Sequence, residues 1–296
     1  MTVSGATHRT VGDFLADAVA RLRASGSPTP RLDAELLVAH VVDRDRAWVL
    51  AHPEAELADA ERFVALVERR ASGEPIAYLR GFKEWHSLRI GTDARALIPR
   101  PETEVLADAA GNEIERRLAD APVVAWEVAT GSGAVAIVLA QRFRSALAGG
   151  RLTLLATDIS AKALSLAAEN FARHGVEHVR LEPADLLEGA GGERPLPDVV
   201  IANLPYVSSA EVDARWGSLG YEPRVATDGG PHGLDLLRRL LREAPERTAV
   251  AATILLEIGV DQVDAIRGIA PTGASVLVVP DLAGLDRVVR IGLADR

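Results

Sequence analysis

Apolar residues recur at helical spacing through the first quarter of this chain of 296 residues. Phe14, Ala18 and Leu22 fall on one face of the first predicted helix, which opens on a capping box at Thr10. Three further segments with helical spacing follow it. We therefore predict a small helical domain over residues 1–73.

The segment after this bundle has the alternating pattern of β-structure. Trp85, Leu88 and Ile90 are interleaved with polar residues around a short turn, which predicts a β-hairpin. We assign residues 74–98 to a linker that contains this hairpin.

From Val123 onward, short apolar runs alternate with amphipathic segments of helical spacing. This alternation predicts a parallel sheet wrapped by helices, with strands that are buried on both faces. The last two runs, Val276–Val279 and Arg287–Ile291, are joined by a link too short for a parallel crossover. We therefore predict an α/β domain over residues 99–296, with a mostly parallel sheet of about seven strands whose last strand is antiparallel.

Composition and charge exclude several classes of function. The chain has 33 Lys and Arg against 42 Asp and Glu, so it has no bulk basic footprint, and we do not expect direct binding of nucleic acid. The absence of cysteine excludes disulfides and thiolate metal sites, and we expect no metal site. The apolar stretch Val123–Ala140 is interrupted by Glu127, so we expect no membrane span. We expect a cytoplasmic protein.

The first candidate site lies where the fourth strand of the predicted sheet ends. Val199–Ala202 is an apolar run, and Asn203, Leu204, Pro205 and Tyr206 follow it. Ligands of open α/β sheets lie beyond the carboxyl ends of the strands. The Asn oxygen and a backbone carbonyl can each accept one N–H of a planar –NH2 group, with the Tyr ring packed on its plane. The alternative, from these residues alone, is an ordinary strand that ends in a proline turn.

The second candidate site lies at the ends of the first three strands. Residues 127–133 carry glycines between a strand and a helix, where a ligand can approach the backbone closely. Asp158 ends the second strand and can accept both hydroxyls of a ribose, and Asp185 follows the third strand, where an adenine ring would lie. This pattern suits NAD and S-adenosylmethionine equally. Because the tip at Asn203 offers no general base for hydride transfer, we favour methyl transfer from S-adenosylmethionine.

Several short motifs together are typical of one family. They are LIPRPETE at 97–104, TGSG at 130–133, Asp158, NLPY at 203–206, Glu222-Pro223, GGPHGL at 229–234 and LLEIGVDQ at 255–262. With these motifs, the chain resembles the HemK/PrmC family, the release factor glutamine N5-methyltransferases, over nearly its whole length. LIPRPETE combined with the Asn-x-Pro-Tyr tip is specific to this family, whereas TGSG is specific only to the superfamily.

The resemblance implies a fold and a reaction. The fold is that of class I S-adenosylmethionine-dependent methyltransferases, which is Rossmann-like, preceded by a helical domain that recognises the substrate. The reaction is methylation of the side-chain nitrogen N5 of the Gln in the Gly-Gly-Gln loop of class I peptide chain release factors, which supports translation termination. We expect a monomer that uses S-adenosyl-L-methionine and releases S-adenosyl-L-homocysteine.

The resemblance also implies a role for each residue of the motifs. Residues expected to bind the cofactor are Ala129, Thr130, Gly131, Ser132 and Gly133 at its methionine part, Asp158 and Ile159 at the ribose, Asp185 and Leu186 at the adenine, and Asn203. Residues expected to bind the substrate amide are Asn203, Leu204, Pro205 and Tyr206, with Arg100 and Pro101 on the opposite wall. In catalysis, Asn203 accepts an N–H, the backbone at Pro205 supplies a second acceptor, and Tyr206 packs against the amide.

Three positions depart from the family pattern. Leu204 replaces the first proline of the usual Asn-Pro-Pro-Tyr, so the loop loses one fixed φ. Ala129 replaces the first glycine of the cofactor loop, and we expect it to fit the cofactor only with a negative φ. Leu186 replaces an aromatic residue, so we expect apolar contact with adenine in place of stacking.

Three alternative functions remain open at this stage. The Asn-Leu-Pro-Tyr tip also occurs in ribosomal RNA adenine N6-dimethyltransferases, although the acidic composition, the N-terminal position of the helical domain and LIPRPETE weigh against that function. The second alternative is a non-catalytic adaptor that keeps the fold. The third alternative is a nicotinamide oxidoreductase. Trp216 follows the Asn203 loop, and we expect that it can cover the site.

Overall fold

The computed structural model describes residues 9–214 and 218–294, which separate into two units. Unit 1 runs up to Gly81 and includes the short helix that ends at Tyr221. Unit 2 begins at Phe82 and contains the remaining described residues.

Unit 1 is helical, as its apolar spacing predicts. The Thr10 hydroxyl accepts the Asp13 N–H at 3.3 Å, and the Asp13 carboxylate accepts the Thr10 N–H at 2.9 Å, so the predicted capping box is present. Phe14, Leu37 and Phe63 pack together in its core. The sequence analysis missed the two shortest helices, because one turn is too short to show a helical period. The helices are α1 (Val11–Ala24), α2 (Pro30–Val42), α3 (Arg46–Ala51), α4 (Ala60–Ala71), α5 (Ile76–Arg80) and, later in the chain, α11 (Ser218–Tyr221).

Unit 2 begins with the predicted hairpin, formed by β1 (Phe82–Trp85) and β2 (Leu88–Gly91). Its turn residues His86 and Ser87 have φ values of 47° and 61°, which is the geometry of a type I′ turn. The Trp85 side chain is buried in the core of unit 2. The hairpin therefore groups with unit 2.

The main sheet of unit 2 has seven strands in the order β5-β4-β3-β6-β7-β9-β8. The pairs from β5 to β7 are parallel, whereas β9 runs antiparallel to both β7 and β8. The predicted seven-stranded sheet with an antiparallel last strand is thus confirmed. The strands are β3 (Val123–Val128), β4 (Leu152–Asp158), β5 (Val179–Pro183), β6 (Val199–Ala202), β7 (Thr253–Glu257), β8 (Ser275–Pro280) and β9 (Asp286–Gly292).

Helices cover both faces of this sheet, and each face has its own core. Successive strand residues point to opposite faces, so Leu154 lies in one core with Leu106, and Leu155 lies in the other with Leu240. None of the helices in the described residues is long and apolar enough to cross a bilayer. The helices of unit 2 are α6 (Thr103–Leu118), α7 (Ala134–Arg142), α8 (Arg144–Ala148), α9 (Ala161–His174), α10 (Ser209–Ala214), α12 (Asp235–Arg247) and α13 (Val263–Ile269), with a 3-10 helix at Arg224–Ala226.

The strand order reverses direction between β3 and β6. From β3 the chain moves outward through β4 to β5, and it then returns to place β6 on the other side of β3. A crevice forms at such a reversal, beyond the carboxyl ends of the strands, because the following helices lie on opposite faces. This topology determines where the site lies.

Candidate functional site

A cavity of about 210 Å³ lies beyond the carboxyl ends of β3, β4 and β6. Most of the predicted site residues line it, namely Ala129, Thr130, Gly131, Ser132, Asp158, Ile159, Asp185, Leu186, Asn203, Leu204 and Pro205. Gly133, Tyr206, Arg100 and Pro101 do not form part of its lining. Trp216 lies outside the described residues.

The loop after β3 is held by backbone hydrogen bonds to the end of β4. The Thr130 N–H donates to the Thr157 carbonyl at 2.8 Å, and the Gly131 N–H donates to Asp158 Oδ2 at 2.9 Å. Gly133, at the start of α7, has φ 80°, and a Cβ there would lie 2.8 Å from the Phe171 ring. Gly133 therefore allows α7 to pack closely against α9, and it acts on the cavity only through the position of this helix.

Ala129 has a φ of 58°, in the left-handed region, and it still lines the cavity. The backbone at Ala129 therefore does not have the negative φ that the sequence analysis set as the condition for fitting the cofactor. The loop keeps the conformation that a glycine would adopt, and the alanine methyl group is accommodated in it.

We expect Ala129→Gly to raise the free energy of unfolding by about 1 kcal/mol, because a left-handed conformation is unfavourable for residues with a Cβ. Urea denaturation checks this stability, and calorimetry checks that cofactor affinity is retained. A less stable variant would show that the alanine methyl group contributes packing that outweighs the strain.

Asp158 is almost buried, with 8% of its surface exposed. Its Oδ1 accepts the Ser160 N–H at 2.8 Å, and its Oδ2 accepts the Gly131 N–H at 2.9 Å. Burial raises the pKa of Asp158, and these backbone hydrogen bonds oppose that rise. Each carboxylate oxygen keeps a second lone pair, so the group can still accept hydroxyl hydrogens.

Glu127 is a second buried carboxyl in the lining, and the sequence analysis did not include it among the site residues. Its Oε2 accepts the Thr130 hydroxyl at 2.8 Å. Burial raises the pKa of Glu127 to about 8, and the nearby Asp158 contributes to the rise. Its position as the single charged residue in the apolar run of β3 could have identified it.

The third acidic residue, Asp185, is paired with a cation that the sequence analysis also missed. Arg239 of α12 donates from Nη2 to Asp185 Oδ2 at 2.8 Å, and both residues line the cavity. Leu186 beside it is buried with a φ of 51° and contributes an apolar wall. This arrangement leaves Asp185 Oδ1 as an acceptor next to an apolar surface.

The tip after β6 presents acceptors to the cavity. Asn203 Nδ2 donates to the Thr103 hydroxyl at 3.2 Å, and no described residue donates to Asn203 Oδ1. Likewise, no donor in the described part of the chain engages the carbonyl oxygens of Leu204 and Pro205. Asn203 Oδ1 is therefore available to a ligand, whereas the Pro205 carbonyl lies against Gly229, where an added Cβ would approach it to 2.4 Å.

Tyr206 does not line the cavity, and it makes two hydrogen bonds to residues outside it. Its hydroxyl donates to Glu257 Oε1 at 3.1 Å, and its carbonyl accepts Gln262 Nε2 at 3.1 Å. A Cβ on Gly233 would clash with that same carbonyl. Tyr206 thus fixes the tip in place, and the lining gives no support to the predicted packing of its ring on a substrate amide.

The predicted wall at Arg100 and Pro101 stays a prediction, and neither residue lines this cavity. The Arg100 guanidinium is ion-paired with Glu222, whose side chain is fully buried, and the Arg100 carbonyl accepts the Trp85 indole N–H at 2.7 Å. The residues of this segment that line the cavity are Leu97, Pro99 and Thr103. The buried Glu222 carboxylate thus holds the Arg100 guanidinium in this structure.

Comparisons with known proteins place the chain in a family. Residues 13–81 match the family described as the PrmC N-terminal domain. The release factor glutamine methyltransferase of Xylella fastidiosa is 39% identical over 278 residues, covering 91% of this chain and 96% of the relative. The protein of the same name from Moorella thermoacetica is 38% identical over 287 residues, covering 94% and 96%. The chain belongs to the release factor glutamine methyltransferase family.

A solved structure supports the fold independently. The hMettl16 catalytic domain, in complex with the MAT2A 3'UTR hairpin 1, aligns with a TM-score of 0.51 at 10% identity over 80% of each chain. This likeness concerns the fold alone. The predicted class I S-adenosylmethionine-dependent methyltransferase fold is confirmed, and family membership makes this protein a methyltransferase with S-adenosylmethionine as the methyl donor.

The cavity of this family member fits the charge of its methyl donor. The lining contains the acids Glu127, Asp158 and Asp185 and two arginines, of which Arg239 is paired with Asp185 and Arg95 with Asp93 and Glu169. Carboxylates suit a sulfonium, an ammonium, ribose hydroxyls and an adenine amino group. Among the described residues, no cluster of three or more His, Asp or Glu side chains could hold a metal ion.

We expect the affinity for S-adenosylmethionine to rise between about pH 6 and 8 through the ionisation of Glu127. With a pKa of about 8, this carboxyl is mostly protonated at pH 7, and a bound cation favours its ionised form. Binding then releases a proton below pH 8, so the dissociation constant falls by at most about tenfold per pH unit and levels off above that pH. Calorimetry measures the dissociation constant against pH for the wild type and for Glu127→Gln. The ligand's own amino group titrates equally in both experiments, so the difference between the two pH profiles reports Glu127 alone. Equal pH slopes in both proteins would contradict this linkage.

Proposed function

We propose that this protein transfers the methyl group of S-adenosylmethionine to the side-chain nitrogen N5 of the Gln in the Gly-Gly-Gln loop of class I peptide chain release factors. This reaction would support translation termination. The observation that carries the proposal is Asn203, whose Nδ2 is occupied by Thr103 while its Oδ1 is left as an acceptor at the cavity. The names of the family relatives favour the same substrate.

The side chains at the tip suit the chemistry of an amide nitrogen. When bound, S-adenosylmethionine supplies a methyl group on a positively charged sulfur, which becomes neutral as the carbon–sulfur bond breaks. Asn203 Oδ1 accepts one N–H of the substrate amide, and a backbone carbonyl at Leu204 or Pro205 accepts the other. These two acceptors hold the amide plane and stabilise the positive charge that develops on nitrogen as the new bond forms. The nitrogen then loses one proton to water, which restores a neutral amide.

The predicted domain organisation gives each part a role. We assign recognition of the release factor to the helical unit 1, because its residues match the PrmC N-terminal domain family and none of the cavity lining comes from it. We assign methyl transfer to unit 2, which contains the cavity. Action as a monomer in the cytoplasm, without direct binding of nucleic acid, remains a prediction from the sequence.

The deciding experiment is methyl transfer from labelled S-adenosylmethionine to a purified class I release factor. The controls are the same factor with alanine in place of the Gln of its Gly-Gly-Gln loop, and a ribosomal RNA fragment. We expect label on the unmodified factor only, mapped to that Gln by mass spectrometry. Label on the RNA would support adenine methylation instead, and cofactor binding without any labelled product would support an adaptor.

A further inference from the structure

Arg239 is a cation in the cavity lining that the proposed chemistry leaves unused. It belongs to α12, which also contributes Leu236 to the lining. Two carboxylates bind its guanidinium: Nη2 donates to Asp185 Oδ2 at 2.8 Å, and Nε donates to Glu243 Oε1 at 3.0 Å. Asp185 lines the cavity, whereas Glu243 does not. Arg239 therefore ties a carboxylate of the cavity to a carboxylate outside it.

These two hydrogen bonds fix the direction of the guanidinium and, through it, that of Asp185. Glu243 lies one turn beyond Arg239 on α12, while Asp185 lies in the loop after β5. A guanidinium is planar, so acceptors at two of its nitrogens define its plane. The side chains of Arg239 and Asp185 are 36% and 35% exposed, and an ion pair in such a setting contributes little to stability. What the pair does supply is a fixed orientation of the Asp185 carboxylate.

The ion pair leaves one acceptor free beside an apolar surface. Arg239 occupies Asp185 Oδ2, and no described residue donates to Asp185 Oδ1. Ile159, Leu186 and Leu236 supply apolar surface to the same cavity. Apolar side chains suit the faces of a flat heteroaromatic ring, and a free acceptor suits a donor on the edge of that ring. Adenine is such a ring, and its 6-amino group is such a donor.

We propose that Arg239 is a positioning residue that holds Asp185 Oδ1 toward the amino group of the cofactor's adenine, so that the cavity selects a 6-amino purine over a 6-oxo purine. A carboxylate only accepts hydrogen bonds, and the oxygen of a 6-oxo purine would oppose it with a second acceptor. A site built around one such bond rejects the analogue that cannot form it. The proposal concerns the methyl donor, which family membership assigns, and it does not depend on which substrate is methylated.

Without Arg239, the Asp185 side chain is free to turn. The bond to the amino group then weakens, because the carboxylate must be ordered when the ligand binds. The conflict with a 6-oxo purine also weakens, because the carboxylate can turn away from it. Both changes reduce the discrimination between the two purines, whereas a general loss of loop stability would weaken both ligands alike.

The test measures the dissociation constants of S-adenosylhomocysteine and S-inosylhomocysteine by calorimetry, and takes the ratio of the second to the first. For the wild type we expect a ratio of about ten or more, since one hydrogen bond to a charged group is lost. In Arg239→Met we expect the constant for S-adenosylhomocysteine to rise about threefold and the ratio to fall about fivefold. Arg239→Lys keeps a cation and should give an intermediate ratio. Asp185→Asn should bring the ratio close to one, because its amide can offer either an oxygen or an –NH2.

Arg238→Met is the matched control. Arg238 is the neighbouring residue of α12 and also faces an aspartate, Asp235 at 3.8 Å, but it lies outside the cavity. It should keep the wild-type ratio. A wild type that binds both ligands within about twofold, an unchanged ratio in Arg239→Met, or an equal loss in Arg238→Met would overturn the positioning role. The measurement needs no release factor, so a failure of the proposed function would not be mistaken for a failure here.

Discussion

We expect Asn203→Ala to lower kcat for the release factor by roughly 10²–10³-fold, while the dissociation constant of S-adenosylmethionine changes little. The alanine removes the acceptor that Asn203 Oδ1 presents to the cavity, and the loss of one preorganised transition-state hydrogen bond has about this effect. Within the described part of the chain the Asn203 side chain makes one hydrogen bond, to Thr103, so the fold should lose only about 1 kcal/mol. Single-turnover methyl transfer at saturating cofactor measures the step directly.

Asn112→Ala provides the control for this variant. Asn112 is an exposed residue of α6 that accepts Arg142 Nη2 at 3.0 Å and lies outside the cavity. It should retain the kcat of the wild type. If Asn203→Ala loses cofactor binding and turnover in equal proportion, then Asn203 serves the cofactor and the acceptor role is wrong.

The layout of the sheet was predictable because each strand carries its own pattern. Buried parallel strands such as Val199–Ala202 read as short apolar runs, and the brief link before Arg287 excluded a parallel crossover. The acids and glycines at the ends of these strands were predictable as site residues for the same reason, since parallel strands bring their carboxyl ends to one edge. Asp158 and Asn203 therefore meet at one cavity, as expected.

The contacts that orient the site were not predictable from local patterns. Thr103 and Asn203 are 100 residues apart in the sequence, and Tyr206 and Glu257 are 51 apart, so no spacing rule relates them. The resemblance implied that Arg100 lies in the wall, and its guanidinium is bound by Glu222, which is 122 residues away in the sequence. Side-chain direction in loops depends on such distant partners.

The backbone conformation at two positions could not be predicted from the sequence either. Ala129 and Leu186 both have positive φ values, which residue type alone argues against. Nearby backbone hydrogen bonds, from the Thr130 N–H to the Thr157 carbonyl and from the Glu188 N–H to the Asp185 carbonyl, fix the two loops. Such strain at the edge of a cavity is retained when the surrounding structure determines the conformation.

The family motifs converge on the tip, which explains why they occur together. Thr103 of LIPRPETE, Gly233 of GGPHGL, and Glu257 and Gln262 of LLEIGVDQ each contact a residue of the Asn203–Tyr206 segment. Motifs that looked independent in the sequence thus form one support around the residues that we propose bind the substrate amide.

We expect Asp158→Ala to raise the dissociation constant of S-adenosylmethionine by about tenfold or more. A charge-assisted hydrogen bond contributes about 1.5–3 kcal/mol, and the remaining lone pairs of Asp158 are the ones we assign to the ribose. The substitution also releases the N–H groups of Gly131 and Ser160, so the loop should lose stability in addition. Calorimetry below the unfolding transition measures the affinity, and kcat at saturating cofactor should change far less than the affinity does.

Two further variants separate ligand binding from loop support around Asp158. Asp158→Asn retains one acceptor oxygen for the loop but turns an –NH2 toward the other N–H, so it should fall between Asp158→Ala and the wild type in affinity. Asp264→Ala, at a side chain that is 94% exposed and outside the cavity, should bind like the wild type. Unchanged affinity in a folded Asp158→Ala would mean that this carboxylate serves only the loop. A loss confined to Asp158→Ala and Asp158→Asn, with circular dichroism like that of the wild type, would assign the ribose contact to this carboxylate.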